Sequence, residues 1–306
     1  MNLLDYDLLA TLATVIREGS FEAAAARLNV SQSAISQRIK LLEGKVGSTL
    51  VVRGRPCIGT PMGNQLCAHA ERVAFLEHDL AKLCPTILGV QPVSRTTLPI
   101  AVNADSIATW FPEVVAEATN RLGLLLELIP DDQEHTSETL TSGRAIAAVC
   151  GDVPEINGFN KKFLGYLNYT SVCNREYWDN NFIQGVKRNS LLKSTCLVFD
   201  RKDTIPDQWL SLFDLSRNDL SINWVPSFTG YIKSVLTGAG WGIVPRISVV
   251  EEIEKGHLIE MAPTEITSVP LFWMSSTNLE AAMKCFSQLL ISHARKNLGS
   301  RLITRI

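Results

Sequence analysis

Apolar residues recur at a helical period at the front of the chain. Leu4, Leu8, Leu12, Val15 and Ile16 fall three or four apart and predict an amphipathic first helix. Gly19 suits its C-terminal cap, and Ser20 followed by Glu22 suits the start of a second helix. That second helix, from Phe21 to Leu28, is short and Ala-rich. Asn29 and Val30 make a turn, and Ser31 caps a third helix running to about Gly44. Within the third helix Ala34, Ile35, Ile39 and Leu42 share one face and predict burial. The other face presents Gln32, Ser33, Ser36, Gln37 and Lys40, with Arg38 at its edge. It carries hydroxyls, amides and cations but no acid before Glu43, whereas a merely solvated helix mixes both signs. The plain alternative, in which Arg38 and Lys40 only pair with Glu43, stays open on spacing alone.

Two short strands are predicted next, Thr49 to Arg53 and Pro56 to Thr60, with Arg53 and Arg55 around Gly54 at the tip, as in a wing. Pro61 fits the first turn of a long helix reaching Leu83. Leu66, Ala70, Val73, Leu76, Leu80 and Leu83 form a seam along it. A core helix explains this seam, and so does a dimer helix. The second is favoured because no nearby segment supplies a partner. Residues 85–97, with two prolines and Gly89, read as a linker. From Leu98 the pattern alternates. Strands are predicted at 98–103, 124–129, 145–150, 163–173, 196–199, 220–225, 241–244 and 269–274. Helices are predicted at 106–120, 135–142, 204–214, 228–237, 246–255 and 278–297. That alternation is an α/β pattern.

Composition changes the picture in one respect. The 306 residues, 46% hydrophobic and 20% charged, exclude disordered and collagen-like classes. The net charge of −2 argues at face value against a nucleic-acid binder. Its distribution reverses the argument: residues 17–55 hold seven Lys or Arg against three Glu, a local +4, while the rest holds 22 bases and 28 acids, −6. Seven cysteines with no C-x-x-C pair exclude a disulfide framework or zinc finger and fit a reducing compartment. The five histidines have no metal spacing, and neither an H-E-x-x-H nor a G-x-S-x-G motif nor a P-loop occurs. Gly238-Ala239-Gly240-Trp241-Gly242 follows a predicted helix and enters a strand, the reverse of a dinucleotide loop, and reads as a turn. With no signal sequence and no apolar run near ~18 residues, the chain is expected to be cytoplasmic, away from membranes, with no metal or cofactor.

Two helices joined by a short turn, the second with a polar outer face, fit the ~12 Å major groove, where Gln can bond adenine and Arg or Lys guanine or phosphate. The run from Phe21 to Glu43 closely resembles the helix-turn-helix of LysR-type transcriptional regulators. Leu50-Val51-Val52-Arg53 and Thr60-Pro61-Met62-Gly63 match that family's wing and the start of its linker helix. Downstream, Ala101 to Trp110, Ser190 to Lys193, Val198-Phe199-Asp200 and Gly240 to Pro245 most resemble the family's ArgP/LysG subgroup, regulators of basic-amino-acid export.

The resemblance implies a winged helix-turn-helix over 1–60, a dimerising linker helix over 61–84, the linker at 85–97 and a two-lobed, periplasmic-binding-protein-like effector domain over 98–306. Lobe I would take 98–167 and 268–306, and lobe II 168–267. DNA contacts carry over to Gln32, Ser33, Ser36, Gln37, Arg38, Lys40, Arg53 and Arg55. The implied partners are double-stranded DNA with an inverted repeat, the chain itself as a homodimer or dimer of dimers, and RNA polymerase. The implied small molecule is an effector, with an amino acid as the leading candidate.

Strand ends supply the effector candidates. Asn103, Asp105 and Ser106 sit where a strand meets a helix N-terminus, a place that favours a carboxylate. Ser227 and Thr229 form a second such turn. Asp105, Asp131, Asp132 and Asp200 can receive an ammonium or guanidinium. The plain alternatives are N-capping for the serines and solvated loop acids for the aspartates. Thr229 stands where the subgroup pattern has an acid, which implies a less basic or more apolar ligand. Two other readings remain: a small-molecule-binding protein or enzyme on the same α/β lobes, and a thiol redox-responsive regulator using Cys150, Cys173 or Cys196.

Overall fold

Three helices open the chain in the computed structural model, which describes residues 4–83, 97–131 and 136–299. They are α1 (Tyr6–Glu18), α2 (Phe21–Arg27) and α3 (Gln32–Val46). Each begins on the side chain that its N-cap demands: Asp5 accepts from Leu8 N–H, Ser20 from Glu22 and Ala23 N–H, and Ser31 from Ala34 N–H. Gly19 and Gly47 end α1 and α3 in the left-handed conformation. Leu8, Leu12, Val15, Ala24, Ile35, Ile39 and Leu42 bury together, the stripe that the helical spacing predicts, while Ala34 is half-buried. The wing strands β1 (Val51–Val52) and β2 (Ile58–Gly59) pair antiparallel but are only two residues each, shorter than predicted.

The long helix α4 (Pro61–Leu83) has the predicted span. Leu66, Cys67 and Ala70 of its first half pack on the α1–α3 core, whereas Leu76 and Leu80 are 45% and 53% exposed. Among the described residues, the first half of the apolar seam packs on this core, and Leu76 and Leu80 of its second half stand exposed. Of the predicted linker, residues 85–96 lie outside the described residues, as does Asp132.

The remainder runs β3 (Thr97–Asn103), α5 (Ala104–Ala108), α6 (Phe111–Leu122), β4 (Leu125–Asp131), α7 (Thr136–Thr141), β5 (Ala147–Cys150), β6 (Phe159–Asn174), α8 (Arg175–Asn181), α9 (Arg188–Lys193), β7 (Thr195–Val198), α10 (Ile205–Leu210), β8 (Ser221–Trp224), α11 (Phe228–Leu236), β9 (Trp241–Pro245), α12 (Val250–Glu254), β10 (Leu258–Glu260), β11 (Thr267–Ser276) and α13 (Lys284–Asn297). The single helix expected over 106–120 is two. Pro112 has no N–H to continue a helix through it but suits a helix start, so the chain breaks at Thr109-Trp110 and α6 begins at Phe111. The helix expected over 246–255 likewise splits into a 3-10 turn and α12, and the last helix starts at Lys284, later than predicted. Helices α8 and α9 and strand β10 were not expected.

The chain divides into two compact units. The first holds residues 1–103, 115–162 and 273–289, and the second 104–114, 163–272 and 290–306. In the first, β3 runs parallel to both β4 and β5, over a core of Ala101, Leu140, Ala148 and Met274. The helix α4 lies against this part of the same unit. Gly143 is left-handed at φ +77, and a Cβ there would overlap the methyl of Ala68 on α4. Beside it Arg17 of α1 reaches Glu71 of α4 at 2.9 Å and Glu127 of β4 at 3.9 Å.

In the second unit β9 pairs antiparallel with β6 and parallel with β7, β7 pairs parallel with β8, and β10 pairs antiparallel with β6. Val172, Leu197, Val235 and Val244 make its core with Tyr231. The Tyr231 phenol lies over Gly242, where any Cβ would overlap the hydroxyl. From there it donates to Leu197 C=O (2.7 Å) and accepts from Ile243 N–H (3.0 Å), tying β7 to β9. The glycine-rich run thus leads from α11 into β9 and serves packing, as predicted for a turn.

Candidate functional site

The polar face of α3 is built by its cap and its core stripe together. Burying Ile35, Ile39 and Leu42 leaves Gln32, Ser33, Gln37 and Lys40 exposed, with Ser36 half-buried between them. Ser31 holds Ser33 by a 2.9 Å hydroxyl contact at the helix start. The one acid near this face is turned away: Glu43 accepts from Leu50 N–H at 2.9 Å, anchoring the base of the wing. That bond bears on the alternative in which Glu43 pairs with Arg38 or Lys40, because Glu43 is committed to the backbone instead. Arg38 is half-buried, and its Nη1 reaches Thr11 Oγ1 on α1 at 3.5 Å. In the wing, Arg53 and Arg55 are exposed, and the Arg53 guanidinium lies 5.2 Å from the Phe21 ring centroid. The polar face of α3 and the wing thus offer donors, acceptors and cations, the kinds of group that bond base edges and phosphates.

The effector candidates fall in both units. In the first, Asn103 and Asp131 are register partners at the ends of the parallel strands β3 and β4, and the buried Asn103 Oδ1 has no hydrogen-bond partner among the described residues. In the second, Asp105 accepts from the Tyr169 hydroxyl at 2.5 Å. Burial pushes its carboxyl above the usual range, and the Tyr169 bond pulls the other way. Ser106 is fully buried and accepts from Trp110 Nε1 at 3.0 Å. Asp200 closes a turn by accepting from Lys202 and Asp203 N–H at 2.7 and 2.9 Å. Ser227 is exposed and caps α11 through Gly230 N–H at 3.3 Å, and Thr229 is exposed in the first turn of α11. The plain roles of turn closure and capping thus account for the hydrogen bonds of Asp200 and Ser227.

Sequence reasoning missed Tyr169, the hydrogen-bond partner of Asp105, the buried Ser171 on the same strand, and Asp203, whose carboxyl feels the charge of Asp105. Burial, with the charges of Asp105 and Asp200, raises the Asp203 carboxyl to about 6, against Ile205 N–H and Arg217. Tyr169 and Ser171 lie inside β6, where period-two alternation marks a buried face without saying what that face binds. Asp203 precedes α10 and reads in sequence as an ordinary helix-start acid.

The thiol reading finds no support in the geometry. Cys150, Cys173 and Cys196 are buried. Burial foremost pushes the first two thiols up to about 12 and Cys196 further still, so the reactive thiolate is scarce. Among the described residues no group of three or more His, Cys, Asp or Glu could hold a metal, and no helix is long and apolar enough to cross a membrane.

Comparison with known proteins gives this arrangement its place. Residues 6–64 match the bacterial regulatory helix-turn-helix protein model of the lysR family, and residues 93–295 the LysR substrate binding domain. The HTH-type transcriptional regulator ArgP of Pseudomonas fluorescens is 37% identical over 271 residues, 89% of this chain and 90% of that protein. The crystal structure of ArgP from Mycobacterium tuberculosis is 31% identical and covers 97% of this chain and 100% of its own, at a TM-score of 0.77. Full-length LysG of Corynebacterium glutamicum with bound effector Arg is 27% identical over 97% of this chain and 100% of its own, at a TM-score of 0.67. These relatives are regulators, not enzymes, and the chain belongs to the LysR family of DNA-binding transcriptional regulators.

Proposed function

We propose that the chain reads an inverted-repeat DNA site as a homo-oligomer, with α3 in the major groove and the wing on the backbone, and that an amino acid sets the affinity of that binding. The observation that carries the DNA half is the acid-free polar face of α3, with Glu43 bound to Leu50 N–H behind it. Gln32, Ser33, Ser36 and Gln37 read base edges, Lys40, Arg53 and Arg55 meet phosphate, and Arg38 steadies α3 on α1. The exposed second half of the α4 seam supports pairing with a second copy. For the effector half, the support is LysG with its bound Arg, together with Asp105 on α5 and Asp200, Ser227 and Thr229 in the turns that follow β7 and β8. An effector that prefers one arrangement of the protein can shift DNA binding by no more than its difference in affinity between the two arrangements.

The test is a gel shift with the DNA upstream of the chain's own gene, with and without L-arginine and the other proteinogenic amino acids. A sequence-specific shift whose midpoint moves with one amino acid supports both halves. A shift that no amino acid moves leaves the DNA half standing and overturns the effector half. Failure to prefer that DNA over random sequence overturns the first.

A further inference from the structure

The wing is held at its base and again at its return strand. At the base, Thr60 N–H donates to Leu50 C=O at 3.0 Å and the Thr60 hydroxyl to Thr49 C=O at 2.9 Å, beside the bond from Leu50 N–H to Glu43. The return strand rests on the corner between α1 and α2. Cys57 N–H donates to Gly19 C=O at 2.7 Å, and the Cys57 thiol reaches Gly54 C=O at 3.4 Å. Gly19 is left-handed at φ +64, and a Cβ there would lie 2.9 Å from the Pro56 Cβ, so any larger residue would push the wing off the corner. Two residues on, Phe21 opens α2. It packs on the α1–α3 core yet stays half-buried, and the Arg53 guanidinium lies over its ring, 5.2 Å from the centroid. No ion pair engages Arg53 among the described residues, whereas Arg17 and Arg27 are held by Glu71 and Glu18. The difference matters chemically. A carboxylate would occupy the N–H fork that a phosphate needs, but a ring takes the face of the guanidinium and leaves that fork open.

We propose that Phe21 is a positioning residue for DNA binding: its ring pre-sets the Arg53 guanidinium, with the N–H fork open to a backbone phosphate. The proposal rests on the DNA reading above and adds to it the residue that aims the wing. A long side chain gives up rotamer freedom when it grips a phosphate, and one already laid on a ring has less to give up. The gain therefore appears in affinity and not in the number of phosphates met. Removing the ring weakens binding at every salt concentration and leaves the salt slope as it was. Removing Arg53 takes the phosphate contact as well, and with it the counterions that the contact releases. Arg55 lies over no ring among the described residues and serves as the control.

The experiment is a double-mutant cycle on the full chain, read by fluorescence anisotropy with the DNA upstream of its own gene across a salt series. Phe21→Leu keeps the apolar bulk and removes the ring; it is expected to bind roughly five- to thirtyfold more weakly with two heads bound, at an unchanged slope. Phe21→Tyr keeps the ring and should restore wild-type affinity. Arg53→Ala should flatten the slope by about 1.8, one phosphate per head. Phe21→Leu added to Arg53→Ala should cost nothing further, and added to Arg55→Ala it should cost its full amount. Arg53→Lys, a surface change that leaves the core alone, keeps the charge but not the planar stack, and should weaken binding at an unchanged slope even where Phe21→Leu does not fold. An equal loss from Phe21→Leu with and without Arg53 overturns the proposal and leaves Phe21 a core residue. So does Phe21→Tyr as weak as Phe21→Leu, or wild-type binding by Phe21→Leu or Arg53→Lys. Each of these leaves the DNA reading standing. That reading falls instead if the unaltered chain does not prefer this DNA over random sequence.

Discussion

Gln32 and Ser106 show how differently two predicted side chains are placed. Gln32 is exposed on the first turn of α3 with its amide unspent. Gln32→Ala should cost roughly 1–3 kcal/mol on the cognate site and relax choice at one base step. A competition assay reads this, and an equal loss on random DNA would remove Gln32 from sequence reading. Ser106 is spent on Trp110, so Ser106→Ala leaves a buried indole N–H without its acceptor, and urea unfolding should show a loss of about 1–3 kcal/mol. An unchanged unfolding midpoint would mean that another acceptor takes over. Asp203 adds a pH signature. Its carboxyl titrates near 6 in the folded chain against an ordinary 3.8, so the folded state binds the extra proton between those values and stability falls as pH rises through them. Asp203→Asn should flatten the melting-temperature curve between pH 4 and 6, and an unchanged curve would place the proton elsewhere.

Among the elements, α4 has two halves with different fates. The first packs on α1 and the second leaves Leu76 and Leu80 exposed. Leu76→Asp with Leu80→Asp should shift the sedimenting species towards monomer, and an unchanged distribution would take α4 out of the dimer contact. Periodicity and caps made α1 to α4 legible in the sequence, since each start has its Ser, Asp or Pro and each apolar stripe its spacing. Eight of the nine strands described in the α/β region were legible for a related reason: most are apolar runs, such as β5 and β9, that stand out between turn residues. What was not legible was set by tertiary context. Strand β10 is three residues long and exists because β6 offers an edge. Helix α8 starts on Asn174 at the end of a strand sixteen residues long, where no change of period announces it. The candidate effector acids were legible as residue types, but the partnership of Asp105 with Tyr169, 64 positions apart, is visible only in the fold.

At the scale of the whole molecule, the DNA-binding helices are not simply tethered to the effector-binding domain. The Gly143–Ala68 approach and the Arg17 pairs with Glu71 and Glu127 fix them to β4 and the turn after α7, all within the first unit. Gly123 provides the control for this contact: it is also left-handed, at φ +67, with nothing near the position of a Cβ. Ala at either site pays the left-handed backbone penalty of about 1–2 kcal/mol, but Gly143→Ala should cost more by the overlap with Ala68. Equal losses on urea unfolding would mean that α4 yields freely there.

The same ion pairs govern how the protein searches DNA in an electrolyte. Of the seven bases in residues 17–55, Arg17 is held by Glu71, Arg27 by Glu18 and Lys45 by Asp5. Arg38 leans on Thr11, which leaves Lys40, Arg53 and Arg55 with no ion pair among the described residues. Two heads would then displace counterions from about six phosphates, and the logarithm of affinity should fall with the logarithm of salt at a slope near −5. A gentle slope of that size lets random DNA release the protein readily as ionic strength rises, while contacts made to base edges persist.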